Sequence, residues 1–349
     1  MDLTALEKVL EAEPKFRLKQ AKEAVFKKFI FDWSEATFFA KDLRDKLGKE
    51  CPLEIKADVL AAKDGDSIKA KITLKDGLQI ETVFMRHKDG RNTVCVSSQV
   101  GCPLGCLFCA TGKMGLKRNL TADEIIEQVI FFSRYLKKIT LSEVEGSSSR
   151  VTNVTYMGMG EPFLNYNNVL ESIKILNNKE YFNIGARSIS VSTAGIIEGI
   201  KKFSEEGLQL NLAISLHAPN DKLRGELMPI NKTYHLENVL KTVDGYIKKT
   251  NRKVMFEYVL IDGVNDSDIC AKELAKLMSK KLYFLNLILY NPPAFVKASA
   301  GEAGIFRPST VKRVEAFKAI LKKAKINFVQ RYRFGEDIQA ACGQFATGK

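Results

Sequence analysis

Three closely spaced cysteines are the residues of this chain best suited to metal chemistry. Cys102, Cys106 and Cys109 form a C-x3-C-x2-C run. Three thiolates can each bind one iron of a [4Fe–4S] cluster and leave the fourth iron open to a substrate or cofactor. A structural zinc site is the alternative, but zinc usually takes four ligands from paired knuckles, and the sequence has no second C-x2-C pair. The spacing and the soft sulfur ligands therefore favour a cluster.

A glycine-containing segment follows an apolar run that is predicted to be a strand. Residues 158–162 have the sequence Gly-Met-Gly-Glu-Pro. The two glycines allow a ligand to approach the backbone closely, and the Glu161 carboxylate can accept hydrogen bonds from an ammonium group. A tight turn without a ligand is the other interpretation of the glycine pair.

Polar residues also end three other predicted strands, where a core would be apolar. They lie in segments 192–193 (Ser-Thr), 215–220 (Ser-Leu-His-Ala-Pro-Asn) and 291–293 (Asn-Pro-Pro). His217 is open to a structural or a functional role. Reactive groups of α/β barrels lie at the carboxyl ends of strands, so all three segments are candidate site segments.

Four further cysteines stand apart from the run. Cys342 lies near the C-terminus in a segment without a strong helical pattern, and both a small buried apolar role and a reactive role are open. Cys95 lies on a predicted strand seven residues before Cys102, which directs it toward the mouth of the cluster site. Cys51 and Cys270 are interpreted as core residues.

The amino-acid composition indicates which binding partners and which cellular compartment to expect. The formal net charge is +13 and the isoelectric point about 9.2, which suggests a nucleic acid partner, although a solvated basic surface is the alternative. An odd number of unevenly placed cysteines argues against a disulfide framework and for a reducing cytoplasm. No apolar run reaches membrane-spanning length and the start lacks a signal-peptide pattern, so we expect a cytoplasmic protein without membrane contact.

The pattern of strands and helices that must position these residues predicts an α/β protein. Residues 1–90 are predicted to form a small accessory domain, helical and then β, that binds RNA. Strands and helices alternate over residues 91–330, which predicts parallel pairing and a partial (β/α)6 barrel open on one side. Residues 331–349 form a C-terminal segment that carries Cys342.

The motifs, taken in order, resemble those of the RlmN/Cfr family of radical S-adenosylmethionine (SAM) RNA methyltransferases. The resemblance runs from about residue 81 to residue 344 and includes the cysteine run, residues 158–162, residues 215–220 and the Ala-Ala-Cys-Gly-Gln segment at 340–344. It implies a radical SAM barrel, a [4Fe–4S] cluster, and methylation of C2 of adenosine in 23S rRNA and in tRNA anticodon loops. Methylation of C8 is the nearest alternative, and Pro162 favours C2. A non-catalytic iron–sulfur or zinc RNA-binding protein is an alternative of another class.

The resemblance also implies a role for individual residues. Cys342 corresponds to the cysteine that is S-methylated, Cys95 to the cysteine that resolves the covalent intermediate, and Glu81 to the proton acceptor. The family usually has one residue fewer between that glutamate and that cysteine. The positions that correspond to SAM-binding residues are Gly160, Glu161, Ser192, Ser215, Leu216, His217 and Asn291.

The reaction implied by the resemblance uses two SAM molecules per turnover. The first methylates Cys342, and the second is cleaved to a 5′-deoxyadenosyl radical that removes a hydrogen from the S-methyl group. The methylene radical adds to adenine C2, and loss of the C2 proton and attack by Cys95 then release the methylated RNA and leave a Cys95–Cys342 disulfide. A flavodoxin- or ferredoxin-type system would supply electrons, the enzyme is expected to be a monomer, and the target base must leave its stack.

Overall fold

One mixed sheet of ten strands runs through the computed structural model, which describes residues 3–140, 150–292 and 306–346. The strands in chain order are β1 (Lys56–Ala61), β2 (Ser67–Thr73), β3 (Gln79–Arg86), β4 (Asn92–Cys95), β5 (Gln99–Gly101), β6 (Leu116–Asn119), β7 (Asn153–Tyr156), β8 (Ile189–Thr193), β9 (Asn211–Ser215), β10 (Val254–Leu260), β11 (Tyr283–Leu289) and β12 (Phe328–Gln330). Spatially the large sheet has the order β1-β2-β3-β4-β7-β8-β9-β10-β11-β12, and β5 pairs with β6 in a separate antiparallel sheet.

Strands β4 and β7 to β12 pair in parallel, with helices in most of the connections between them. The helices are α1 (Leu3–Val9), α2 (Lys15–Phe26), α3 (Lys41–Glu50), α4 (Ala110–Lys113), α5 (Ala122–Thr140), α6 (Tyr166–Asn177), α7 (Ile197–Phe203), α8 (Asp221–Leu227), α9 (Leu236–Thr250), α10 (Asp268–Leu277) and α11 (Val311–Lys323), with 3-10 helices at Trp33–Glu35, Pro162–Asn165, Ala186–Ser188 and Pro229–Lys232. Within the described ranges no ladder joins β12 back to β1, so the barrel is open. The predicted partial barrel is confirmed, with the short β12 as an additional parallel strand.

The N-terminal strands extend the barrel sheet. Antiparallel pairing joins β1 to β2, β2 to β3 and β3 to β4, so the sheet continues through the predicted domain boundary at residue 90. The three N-terminal helices contribute Leu6, Val25 and Leu47 to the same buried core. The boundary itself stays a prediction.

Local sequence signals explain where the barrel elements begin. Thr121 and Glu124 form a capping box at the start of α5: the Glu124 N–H donates to Thr121 Oγ1 at 3.2 Å, and the Thr121 N–H donates to Glu124 Oε2 at 2.9 Å. Strand β10 is an almost continuous apolar run because helices and the barrel interior bury both of its faces. The charged residue in that run, Glu257, is 4% exposed.

The C-terminal segment returns across the barrel opening after β12. The Lys63 N–H donates to Asp337 Oδ2 at 3.0 Å, and Lys69 Nζ donates to the Gln339 carbonyl at 3.4 Å. Further along, Thr111 Oγ1 donates to the carbonyl of Phe345 at 2.7 Å. These contacts attach the C-terminal segment to β2 and its preceding turn on one side and to α4 on the other. Residue 342 therefore lies next to the loop that contains the three clustered cysteines. Within the described ranges, no helix is long and apolar enough to span a membrane.

Candidate active site

A cavity lies at the carboxyl ends of the parallel strands, and the cysteine run forms part of its wall. Cys102, Cys106 and Cys109 all line this cavity, in the loop between β5 and α4. Cys102 and Cys106 are buried and Cys109 is partly exposed. The chain therefore brings the three predicted cluster thiols around a single space.

The antiparallel β5–β6 pair closes the base of this cysteine loop. The Cys102 N–H donates to the Gly115 carbonyl at 3.1 Å. Gly101 has φ +80°, and a Cβ at that position would overlap the Gly115 carbonyl oxygen, so glycine is required there. A hydrogen bond of 3.0 Å from the Leu107 N–H to the Leu227 carbonyl attaches the other end of the loop to α8.

Burial makes two of these thiols, Cys102 and Cys106, hard to ionise in the protein without metal. It raises the pKa of Cys102 to about 12 and also raises the pKa of Cys106. Thiolates are the metal-binding form, so iron binding must release protons from sulfur. In the described part of the chain, no three His, Cys, Asp or Glu side chains converge on a position for one metal ion. A [4Fe–4S] cluster does not need three ligands at one position, because each thiolate binds a different iron. Three soft sulfur donors around one cavity therefore fit a cluster.

Glu161 lines the same cavity and is held by backbone groups of two loops. Its Oε1 accepts from the Phe163 N–H at 3.0 Å, and its Oε2 accepts from the Ala194 N–H at 2.7 Å. Burial raises the pKa of Glu161 to about 7, and these hydrogen bonds oppose the shift. An ammonium ligand would favour the charged carboxylate, so the position suits a cationic group.

The two glycines beside Glu161 serve packing within the chain. A Cβ on Gly158 would lie 2.7 Å from the Val96 carbonyl oxygen, and a Cβ on Gly160 would lie 2.6 Å from the Gln99 Cβ. Gln99 Oε1 in turn accepts from the Glu161 N–H at 2.8 Å. The glycines therefore allow the loop to press against residues 96–99, while both still line the cavity.

Ser192, Ser215 and His217 also line the cavity, as residues at the ends of β8 and β9. The Val259 N–H donates to His217 Nδ1 at 3.1 Å, which assigns the ring proton to Nε2. Burial, with the nearby Arg224 cation, lowers the pKa of His217 to about 3, so the ring is neutral. His217 therefore has a structural contact through one nitrogen while its ring lines the cavity.

Arg224 is a buried cation that the sequence analysis did not identify. Its Nη2 donates to the carbonyl oxygens of Ala194 and Ser215 at 2.6 and 3.1 Å, and its Nη1 donates to Asn231 Oδ1 at 2.7 Å. It thus ties together the loops after β8 and β9. In the sequence, a charged residue in the first turns of a polar helix resembles an exposed one, so no local signal marks it.

Cys342 reaches the cavity from the end of the chain. The Ala110 N–H at the start of α4 donates to the Gly343 carbonyl at 2.8 Å, which fixes the tail against the cysteine loop. The thiol is accessible from the cavity although protein surrounds it. Burial raises the pKa of Cys342, and the Arg331 cation opposes that shift.

An ion pair in the barrel interior lies beside two cysteines. Arg331 Nη1 is 3.5 Å from Glu257 Oε2, and Glu257 Oε1 accepts from Asn286 Nδ2 at 2.8 Å. Glu257 raises the pKa of Arg331 most, and Cys342 and Cys95 add to it, so both thiols lie within electrostatic reach of one cation. Burial raises the pKa of Cys95 to about 12. In the sequence, the sign of this pair is the carboxylate of Glu257 within an otherwise apolar strand.

Four of the predicted site residues do not line this first cavity. Glu81 faces Lys69, with 3.3 Å between Oε1 and Nζ, and accepts from the Ala346 N–H at 3.0 Å. Leu216 and Cys95 are buried in the core. Asn291 lines a second cavity, which extends from Cys342 through the barrel interior.

The extra residue between Glu81 and Cys95 falls in a hairpin. Strands β3 and β4 pair Val83 with Cys95 and Arg86 with Asn92, and residues 87–91 form the turn. A turn between two strands can be one residue longer without changing the face of the sheet on which each strand residue lies. The roles implied for Glu81 and Cys95 stay predictions.

The open parallel barrel and the three-cysteine cavity define an enzyme of the radical SAM class. Residues 96–271 match the model of the Radical SAM superfamily. The chain is 44% identical to a probable dual-specificity RNA methyltransferase RlmN of Caldicellulosiruptor saccharolyticus, over 96% of this chain and 92% of that protein. It is 43% identical to a protein of the same name, a probable RlmN, of Dictyoglomus thermophilum, over 95% of this chain and 90% of that protein.

A solved structure agrees with these relatives. The fold matches a radical SAM methyltransferase from Sphaerobacter thermophilus with a TM-score of 0.89 and 41% identity, over 99% of this chain and 97% of that one. The chain belongs to the RlmN family of radical SAM methyltransferases. The predictions of an enzyme, a methyltransferase, a [4Fe–4S] cluster and SAM are confirmed.

Proposed function

We propose that this chain methylates C2 of adenosine in 23S rRNA and in tRNA anticodon loops, with Cys342 as the methyl carrier. The observation that carries the proposal is that Cys342 and the three clustered cysteines line one cavity. The names of the relatives support an RNA substrate and two substrate types. The net charge of +13 is consistent with a polyanionic partner.

A thiol is the chemically suitable carrier for this substrate. Adenine C2 is an electrophilic amidine carbon with an unactivated C–H bond, so it cannot attack the methyl group of SAM. A cysteine thiolate can. Arg331, whose cation lowers the cost of ionising Cys342, supports formation of that thiolate. The charge of Arg331 thus partly offsets the burial that raises the pKa of the carrier thiol.

The remaining first-cavity residues bind and orient the cofactors. Cys102, Cys106 and Cys109 would hold the cluster, and Glu161 would receive the amino group of SAM. When bound there, the cluster and SAM supply the methyl group and the radical that activates it. Ser192 and Ser215 offer hydroxyl groups along the same wall.

Cys95 and Glu81 are proposed to complete the turnover. Cys95, the second thiol within reach of Arg331, would attack the sulfur of Cys342 and form a disulfide with it. The bond between that sulfur and the methylene carbon breaks, and the carbon takes a proton to become the methyl group of the released RNA. Glu81 would accept the C2 proton, since burial raises its pKa and makes it a better base than an exposed carboxylate. The hydrogen bond from Ala346 links Glu81 to the tail that carries Cys342.

The setting of the reaction follows from the same residues. We propose that the enzyme acts as a monomer in a reducing cytoplasm, with a flavodoxin- or ferredoxin-type reductant that resets the cluster and the Cys95–Cys342 disulfide. All seven cysteines are free in the structure, as this setting requires.

Mass spectrometry of adenosines tests the proposal. Unmodified 23S rRNA and tRNA are incubated anaerobically with the enzyme, SAM and a reductant, and then digested to nucleosides. We expect 2-methyladenosine from both RNAs, and no product with Cys342→Ala although that variant keeps its iron. A product at C8 would place the chain in the other branch of the family. Ordinary turnover by Cys342→Ala would overturn the carrier role.

A further inference from the structure

The barrel interior contains two cavities that meet at Cys342. Cys342, Arg331 and Glu257 line both. The first cavity lies at the carboxyl ends of the strands, among the cluster cysteines. The second reaches the amino ends of neighbouring strands, at Asn153, the first residue of β7, and Thr93, the second residue of β4. Cys342 therefore borders two adjoining spaces.

A methyl carrier must meet its donor and its acceptor in turn. The first cavity has the residues for cluster and SAM, so the acceptor has to approach from elsewhere. We propose that the second cavity is the entry path of the target nucleotide, and that Tyr332 at its rim stacks on an RNA base next to the target. This inference rests on the proposed function, and it adds the RNA-binding subsite.

The wall of the second cavity has the chemistry of a nucleotide site. A barrel interior that served only as a core would be apolar, but hydroxyl and amide side chains line this one together with methionine and aliphatic side chains. These are Thr93, Asn153, Thr155, Ser188, Ser190 and Asn286. Such groups can both donate to and accept from the edges of an unstacked base.

The rim of the cavity is aromatic. The ring of Phe334 lies 4.9 Å from that of His87 and 4.9 Å from that of Tyr332, with edge-to-face geometry in both pairs. Tyr332 is 63% exposed. His87 is held from below, with 3.0 Å between its Nε2 and Thr93 Oγ1. The rings therefore form a fixed platform with one exposed face, which is how proteins bind single-stranded bases.

The charged groups at the rim do not compete with this stacking role. Arg91 is paired with Asp89 at 2.9 Å, and Arg333 with Glu336 at 3.2 Å. Paired arginines add little net attraction, which leaves the exposed ring as the main recognition element.

Substitution of Tyr332 tests the inference. The probe is a fluorescently labelled, unmodified tRNA transcript, and its binding to the holoenzyme is measured by anisotropy. Tyr332→Ala should weaken binding about ten- to hundred-fold, the effect of removing one stacked base, and Tyr332→Phe should restore it. Ile269→Ala removes a side chain that is 69% exposed on α10, and should bind like the wild type.

Two measurements separate this inference from the proposed function. Methylation of Cys342 in the absence of RNA should be equal in wild type and Tyr332→Ala, because the first cavity is unchanged. A 4-thiouridine placed beside the target adenosine should crosslink to the peptide that contains Tyr332. If the wild type methylates RNA but Tyr332→Ala binds as tightly and the crosslink forms elsewhere, the entry path is wrong. If the wild type methylates no RNA, the proposed function fails first.

Discussion

Glu161 and Ala194 join two loops of the site, with 2.7 Å between Glu161 Oε2 and the Ala194 nitrogen. Glu161 follows β7 and Ala194 follows β8, so this hydrogen bond sets the spacing of two neighbouring strand ends. The same carboxylate is the one predicted to receive the amino group of SAM. A single side chain therefore shapes the binding loop and supplies its charge.

The affinity for SAM should depend on pH through Glu161. Burial raises the pKa of Glu161 to about 7, well above the ordinary value for a glutamate. The ammonium group of SAM prefers the ionised carboxylate, so affinity should be full above about pH 8 and fall as the pH drops through 7. Glu161→Gln should bind SAM about ten- to hundred-fold more weakly at pH 8 and lose most of this pH dependence.

Equilibrium binding of radiolabelled SAM at pH 6 and pH 8 makes the comparison. Glu226→Gln, which changes an exposed carboxylate on α8, should behave like the wild type at both values. Equal affinities of wild type and Glu161→Gln at pH 8 would remove Glu161 from the binding site.

The loop at residues 158–162 should tolerate no side chain at residue 158. Gly158→Ala places a Cβ 2.7 Å from the Val96 carbonyl oxygen, which is backbone that cannot move aside cheaply. We expect a loss of about 1–3 kcal/mol in the free energy of unfolding. Gly245→Ala is the matched control, because α9 leaves open space there and alanine should stabilise the helix by about 1 kcal/mol. Urea denaturation of both variants measures the two changes, which should have opposite signs.

Helices and strands could be predicted from the sequence where the local residue pattern determines the structure. The alternation of strands and helices predicted for residues 91–330 is present, and the apolar run at Val254–Leu260 forms β10 within it. In contrast, the three-residue β12 was missed because Phe328–Gln330 is too short to show alternation. Its pairing with β11 depends on a neighbour that is distant in the chain.

The site was predicted unevenly for a similar reason. The cysteine run is local, so its spacing alone indicated a cluster. The position of Cys342 at the cysteine loop, where its neighbour Gly343 accepts from Ala110, depends on the path of the whole chain, and only the family resemblance anticipated it. Arg331 and Glu257 carry no motif, and their pairing becomes visible only when β10 and the tail lie together. The apolar surroundings of Glu257 were the one available sign.

The cluster should depend on three cysteines and not on a fourth. Anaerobically purified wild type should be brown and contain about four irons per chain. Cys102→Ala, Cys106→Ala and Cys109→Ala should each lose the iron and the ability to cleave SAM, because each removes one of three irreplaceable thiolates. Cys270→Ala changes a buried cysteine of α10 and should keep both. Full activity with zinc alone in air would contradict the radical mechanism.

Cys95 should release RNA from the covalent intermediate. The tether forms through Cys342, and a second thiol near the same cation is needed to break it. Cys95→Ala should therefore accumulate an RNA–protein adduct that survives denaturation. The adduct should be absent in the Cys95→Ala, Cys342→Ala double variant, whereas Cys51→Ala, which changes a buried cysteine at the end of α3, should turn over without an adduct. Denaturing gel electrophoresis with labelled RNA makes the measurement. An adduct that persists without Cys342, or normal turnover by Cys95→Ala, would show that the two thiols have other roles.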